Sequence, residues 1–216
     1  MVRTIRIVPA ILTDNAAALE KLARTAETFS DYAQFDLMDG HFVPSLSFSV
    51  DDMSALKTKL HWEAHLMMLQ PEDYLAILKK AGADKIIFHF EAVAAPWKIM
   101  MLARELGIKV GMAINPETPL AAFKEWVPQL DSILFMAVNP GYYGAKFIPE
   151  VLEKIKEFRK TYFKTLTGLD GGVKETNIAD IARAGVDEIC VGSAIFQAAD
   201  PAAAYRKLTD MAQAAI

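Results

Sequence analysis

Eight short runs rich in β-branched and aromatic residues recur along the chain, and that alternation limits what it can fold into more than any other feature. They are IRIVPAIL (5–12), YAQFDLM (32–38), HWEAHLMM (61–68), KIIFHF (85–90), KVGMAI (109–114), SILFMAV (132–138), LTGLD (166–170) and EICVGSA (188–194). Such runs read as strands. Segments 15–29, 71–81, 96–106, 147–160 and 200–215 place apolar residues at three-and-four spacing with charges on the other face, the pattern of helices covering a parallel sheet. Eight strand-helix units predict an α/β fold, a (β/α)8 TIM barrel, with residues 1–216 forming one domain. Two helix ends read almost alike, KKAGADKIIFHF and ARAGVDEICVGS, and set Gly82 and Gly185 where a helix C-cap needs a left-handed residue.

The totals exclude several classes. A net charge of −4 without long like-signed runs provides no footprint for nucleic acid or an anionic membrane. No stretch approaches the ~18 uncharged apolar residues of a membrane span. The apolar run in MVRTIRIVPAIL is too short for a signal peptide, and the single Cys190 excludes an intramolecular disulfide, so a cytoplasmic protein is expected.

In a barrel of this kind the chemistry gathers at the C-terminal ends of the strands. Asp36, His65, His89, Asn139, Asp170 and Ser193 fall there, whereas Asp84 and Asp187 fall at the opposite end. Strand alternation puts Gln34, Asp36 and Met38 on one face, and likewise Glu63, His65 and Met67. With Asp170, the residues Asp36 and His65 form a ligand set suited to Zn²⁺, Mn²⁺ or Fe²⁺. Each alone also reads as a polar residue capping a loop. Asp36 and Asp170 lie far apart around the ring, which suits proton removal on one side of a substrate and return on the other. Asp39 belongs to a DG turn and is expected to cap it, and His41 reads as a loop hydrogen-bonder. His61 begins a strand at the stability end. No task is fixed for His89 and Glu91.

NPGYYG (139–144), DGGV (170–173) and VGSAIF (191–196) follow the sixth, seventh and eighth strands, and glycines there let backbone N–H groups close on phosphate oxygens. A phosphate site is expected from Gly141, Gly144, Gly171, Gly172, Gly192 and Ser193. Met38, Met67 and Met136 each stand near a strand end, where they read either as core packing or as a dry cap over a charged intermediate.

The ordered stretches FDLMDGHFVP, HLM with PEDY, AGAD, NPETPL, VNPG, FIPEVLEKI, LDGGV and GSAIF resemble the ribulose-phosphate 3-epimerase family over nearly the whole chain. The resemblance implies a phosphate-binding barrel, a phosphosugar substrate, a divalent metal on the substrate oxygens, and two aspartates moving the C3 proton through an enediolate. It implies Asp36 and Asp170 as the acid-base pair and as metal ligands, His65 as a further ligand, the methionines above the site, and self-association into a homo-oligomer.

The departures cluster at one pocket. The family writes His-x-Asp where this chain has Gln34-Phe35-Asp36, PSIL where it has Ala10 in PAIL, and NPGFGGQ where Tyr143 and Ala145 stand. As a fourth ligand Gln34 offers only a carbonyl oxygen, which suits Mg²⁺ or Mn²⁺ better than Zn²⁺ and binds less firmly than imidazole, so low metal occupancy is expected. The leading expectation is interconversion of D-ribulose 5-phosphate and D-xylulose 5-phosphate. An epimerase of another ketose phosphate, such as a hexulose 6-phosphate, and a non-catalytic phosphosugar-binding scaffold stay open beside it.

Overall fold

The computed structural model describes residues 3–141 and 145–216. Eight parallel strands close on themselves in sequence order: β1 Arg6–Ile11, β2 Tyr32–Met38, β3 His61–Met67, β4 Lys85–His89, β5 Lys109–Ile114, β6 Ser132–Met136, β7 Leu166–Asp170 and β8 Glu188–Val191. The expected strands are all present. The ring closes where Arg6 pairs with Glu188 and Pro9 with Val191. Between and after the strands run α1 Ala16–Ala26, α2 Val50–Ala55, α3 Leu75–Ala81, α4 Pro96–Leu106, α5 Leu120–Phe123, α6 Glu150–Thr161, α7 Ile178–Ala184, α8 Ser193–Phe196 and α9 Pro201–Gln213.

Local chemistry sets the element ends. Gly82 and Gly185 cap α3 and α7 at φ 105°, the left-handed geometry that lets a chain leave a helix and enter the next strand. Asn15 and Asp200 accept backbone N–H groups at the starts of α1 and α9. Three expectations shift. Residues 71–74 form a 3₁₀ turn before α3, because Gln70 enters it at φ 51° and Pro71 follows. The eighth strand stops at Val191, and the Ser193–Phe196 part of its run turns into α8. Helix α2 has no counterpart in the periodicity; a capping box between Ser49 and Asp52 starts it.

Outward-facing strand residues such as Phe35, Leu66, Phe88 and Phe135 pack under the helices in one continuous core. Inward-facing Val8, Ile87, Ala113 and Leu134 fill the barrel axis. At the base, beneath that layer, the Lys85 ammonium sits between two carboxylates, 2.5 Å from Glu63 Oε2 and 3.1 Å from Glu188 Oε2. The Tyr32 hydroxyl donates to Glu63 Oε2 at 2.9 Å, and Arg6 approaches Glu188 at 3.6 Å from the rim. Burial disfavours the Lys85 charge, yet Glu63 and Glu188 outweigh it and raise its pKa, so the lysine stays charged.

Candidate active site

The mouth is built by register. Asp36 pairs with His65 across β2 and β3, and Met38 with Met67. Met136 pairs with Asp170, and Asp170 with Cys190. Inward alternation therefore delivers Asp36, His65 and Asp170 to one place, and their ligand atoms all lie within 4.8 Å of one another. Asp36 and Asp170 both border a cavity of about 350 Å³. Met38, Met67 and Met136 line the same cavity, each nearly buried, with Met38 and Met67 packed on Val43.

Hydrogen bonds tie the polar groups together. Gln34 Nε2 donates to Asp36 Oδ1 at 2.8 Å and to Asp170 Oδ2 at 2.8 Å. Gln34 Oε1 accepts from Cys190 Sγ at 3.1 Å. His65 Nδ1 lies 2.9 Å from Asp36 Oδ1 and 3.5 Å from Asp170 Oδ2. On its other side His65 Nε2 meets His89 Nε2 at 2.9 Å, and His89 Nδ1 faces Glu91 Oε2 at 3.5 Å. Glu91 Oε1 is itself held by the Asn115 backbone N–H and the Thr118 hydroxyl.

Electrostatics separates these groups. Burial, reinforced by the Asp36 charge, pushes Asp170 up to about 7, so near neutrality the pair is poised between holding one proton and none on that carboxyl. Burial opposes the charge on His65, but its hydrogen bond to Asp36 and the nearby carboxylates prevail and raise it. Burial brings His89 down to about 4, which keeps that ring neutral. One proton arrangement fits the row: His65 donates from Nδ1 to Asp36 and from Nε2 to His89, and His89 carries its own proton on Nδ1, which points toward Glu91 Oε2 without completing a hydrogen bond.

The donor set suits a divalent ion by spacing and type: two carboxylates and an imidazole, leaving positions free for substrate oxygens. In this arrangement Gln34 adds no lone pair, because its N–H₂ end faces the carboxylates, and His65 becomes a ligand only on losing its Nδ1 proton.

The glycine-rich loops meet at the cavity's far wall. Gly141, Gly171, Gly172, Gly192 and Ser193 all border it, and Gly144 lies outside the described residues. Gly171 and Gly172 need to be glycine: φ is +110° and +66°, and an added Cβ would stand 2.5 Å from Val138 Cγ2 and 2.9 Å from Phe147 Cβ. Asp39 caps its turn as expected, accepting from the backbone N–H groups of His41, Phe42 and Leu69. His61 is exposed at the base beside Asp84.

Two members of the site had no assigned role in the sequence reading, Cys190 beneath Gln34 and His89 behind His65. Each falls on the inward face of its strand, and alternation along β8 and β4 carries that signal.

Comparison with known proteins places this geometry. The profile of the ribulose-phosphate 3 epimerase family matches residues 6–196. Ribulose-phosphate 3-epimerase of Aquifex aeolicus is 38% identical over 203 residues, 91% of this chain and 91% of that protein. The Mycobacterium tuberculosis protein of the same name is 37% identical over 215 residues, 97% of this chain and 93% of its own. Among solved structures, 3-hexulose-6-phosphate synthase from Salmonella typhimurium superposes with a TM-score of 0.74 at 19% identity, covering 98% of this chain and 100% of that one, a likeness of fold. By the extent and identity of these matches, the chain belongs to the ribulose-phosphate 3-epimerase family, and so to the isomerases that act on carbohydrate phosphates.

Proposed function

We propose that this chain epimerises a ketose phosphate at C3, with D-ribulose 5-phosphate and D-xylulose 5-phosphate as the pair. The observation that carries the reading is the convergence of Asp36 and Asp170 on one cavity, with the Asp170 carboxyl pushed up to about 7 by burial and by its partner. Epimerisation needs a base on one face of a carbon and an acid on the other. Two carboxyl groups sharing a proton supply both, and they exchange roles when the reaction reverses.

In this reading Asp36, ionised, takes the C3 proton from one face, and Asp170 returns a proton to the other. His65 holds Asp36 in place through its Nδ1–H and offsets the negative charge that builds up on the enediolate. Met38, Met67 and Met136 cover the reacting carbon with apolar surface, which excludes water and prevents loss of the intermediate. The phosphate lies at the opposite wall, against the backbone of Gly171, Gly172, Gly192 and Ser193. Gly141, and Gly144 beyond the described residues, belong to the same anchoring loops. A divalent ion held by Asp36, Asp170 and a His65 that has given up its Nδ1 proton would supply positive charge to the substrate oxygens in place of the imidazolium.

The test is solvent exchange. Purified protein in deuterium oxide, saturated with Mn²⁺ or Zn²⁺, is expected to place deuterium at C3 of ribulose 5-phosphate, and Asp36→Asn to abolish it. Complete absence of exchange would defeat the reading and leave a phosphosugar receptor. Ala10 and Ala145 both border the cavity. Their small side chains favour a second reading, a bulkier ketose phosphate such as a hexulose 6-phosphate, which a substrate panel preferring the pentulose would exclude.

A further inference from the structure

The Gln34 carboxamide is fully buried between the two aspartates and Cys190. A carboxamide has N–H donors at one end and an acceptor at the other, and here each end faces its complement. Two carboxylate oxygens receive the donors, and a thiol hydrogen reaches Oε1. Turned over, the amide would press its oxygen against both carboxylates, acceptor against acceptor.

A cation drawing on Asp36 Oδ1 and Asp170 Oδ2, the oxygens that hold the Gln34 hydrogens, competes with them. It would also face an N–H₂ group whose partial charge repels it. For an ion to enter, the amide has to release both carboxylates and rotate. The surroundings allow that second orientation, because sulfur accepts weakly as well as donating, so Nε2 then faces Cys190.

We infer that Gln34 is a positioning residue that bridges the two aspartates in place of an ion, so that the acid pair is self-supporting and metal is optional. The inference rests on the reading of Asp36 and Asp170 as the acid-base pair, but the bridge itself is testable without turnover.

The experiment compares wild type, Gln34→His and Gln34→Leu, using Zn²⁺ affinity from competition with a chelator and thermal unfolding with and without that chelator. Wild type is expected to bind Zn²⁺ weakly and to unfold at the same temperature when stripped. Gln34→His, with an imidazole lone pair in place of the amide hydrogens, is expected to bind about 10–100-fold more tightly and to lose thermal stability on chelation. Gln34→Leu removes the bridge without adding a ligand. Its stripped form is expected to unfold at a lower temperature than stripped wild type, and added Zn²⁺ to restore the difference. Wild type that retains one ion per chain through the chelator, or a His variant that binds no more tightly, would overturn the inference. If the His variant does not fold, the Leu variant decides: stripped stability equal to wild type overturns it. Deuterium exchange at C3 by chelated wild type is expected to persist. Its absence in every variant, with the affinity ranking intact, removes the epimerase reading and leaves the bridge standing.

Discussion

At the base of the barrel two glutamates, Glu63 and Glu188, close on one lysine; at the mouth two aspartates, Asp36 and Asp170, close on a neutral amide and an imidazole. Both pairs are carried by inward-facing positions of the same closed sheet. Strand β3 contributes to each, with Glu63 below and His65 two residues above. The base answers its two acids with an ammonium, a tyrosine hydroxyl and, from the rim, the Arg6 guanidinium, although burial and the Glu188 charge still push Glu63 upward. The mouth leaves its second carboxyl only partly compensated, and burial then shifts it toward neutral pH. A barrel can thus hold a stability site and a reactive site on shared strands, separated by one apolar layer. The difference is in the partners: an ammonium and a phenol hydroxyl below, an amide and a histidine above.

Substitutions at the two ends should separate these roles. The largest effect is expected from Asp170→Asn, which keeps an acceptor for Gln34 but removes the exchangeable proton. C3 exchange should fall about 10²–10⁴-fold, the usual contribution of one acid-base group, with urea stability unchanged or higher at pH 8. A parallel loss of stability would erase the contrast between the ends. Next is Lys85→Met at the base, which leaves Glu63 without its cation. It should cost about 3–5 kcal/mol in urea unfolding while exchange per folded molecule stays near wild type.

A smaller and more discriminating effect comes from pH. In the direction where Asp170 delivers the proton, the protonated form is active; it predominates below about 7 and is lost above it. There kcat/KM should fall roughly tenfold per pH unit on the alkaline side, and a flat profile to pH 9 would show that Asp170 is not the acid in that direction. The smallest effect belongs to Arg6→Ala. Its guanidinium is half-exposed and 3.6 Å from Glu188, so solvent screening limits the loss to about 0–1 kcal/mol. A larger value would make the rim of the base part of its buried core.

Much of this was legible in the primary structure because it depends on period. Alternation along YAQFDLM put Gln34, Asp36 and Met38 on one face, and Gly82 and Gly185 marked two helix ends. What was not legible depends on contacts across the ring. Cys190 meets Gln34 from 156 positions away, and no local pattern announces that pairing. Lys85 and Glu188 are 103 positions apart, and each alone reads as a charged residue at a strand start. His89 met a different obstacle: its strand was expected, but only the register of β3 with β4 sets its ring against His65. The amide direction of Gln34 was also hidden, since residue type shows that it can accept or donate, and only its neighbours show which.

The clasp between Lys85 and Glu188 also bears on how the molecule is made. Glu188 opens the last strand, so a nascent polypeptide still lacking it has a lysine awaiting one of its two acidic neighbours and a sheet with two open edges. Asp170 and Cys190 emerge in the same closing stretch of synthesis. Rigidity and reactivity therefore arrive together, within the span of a few dozen codons.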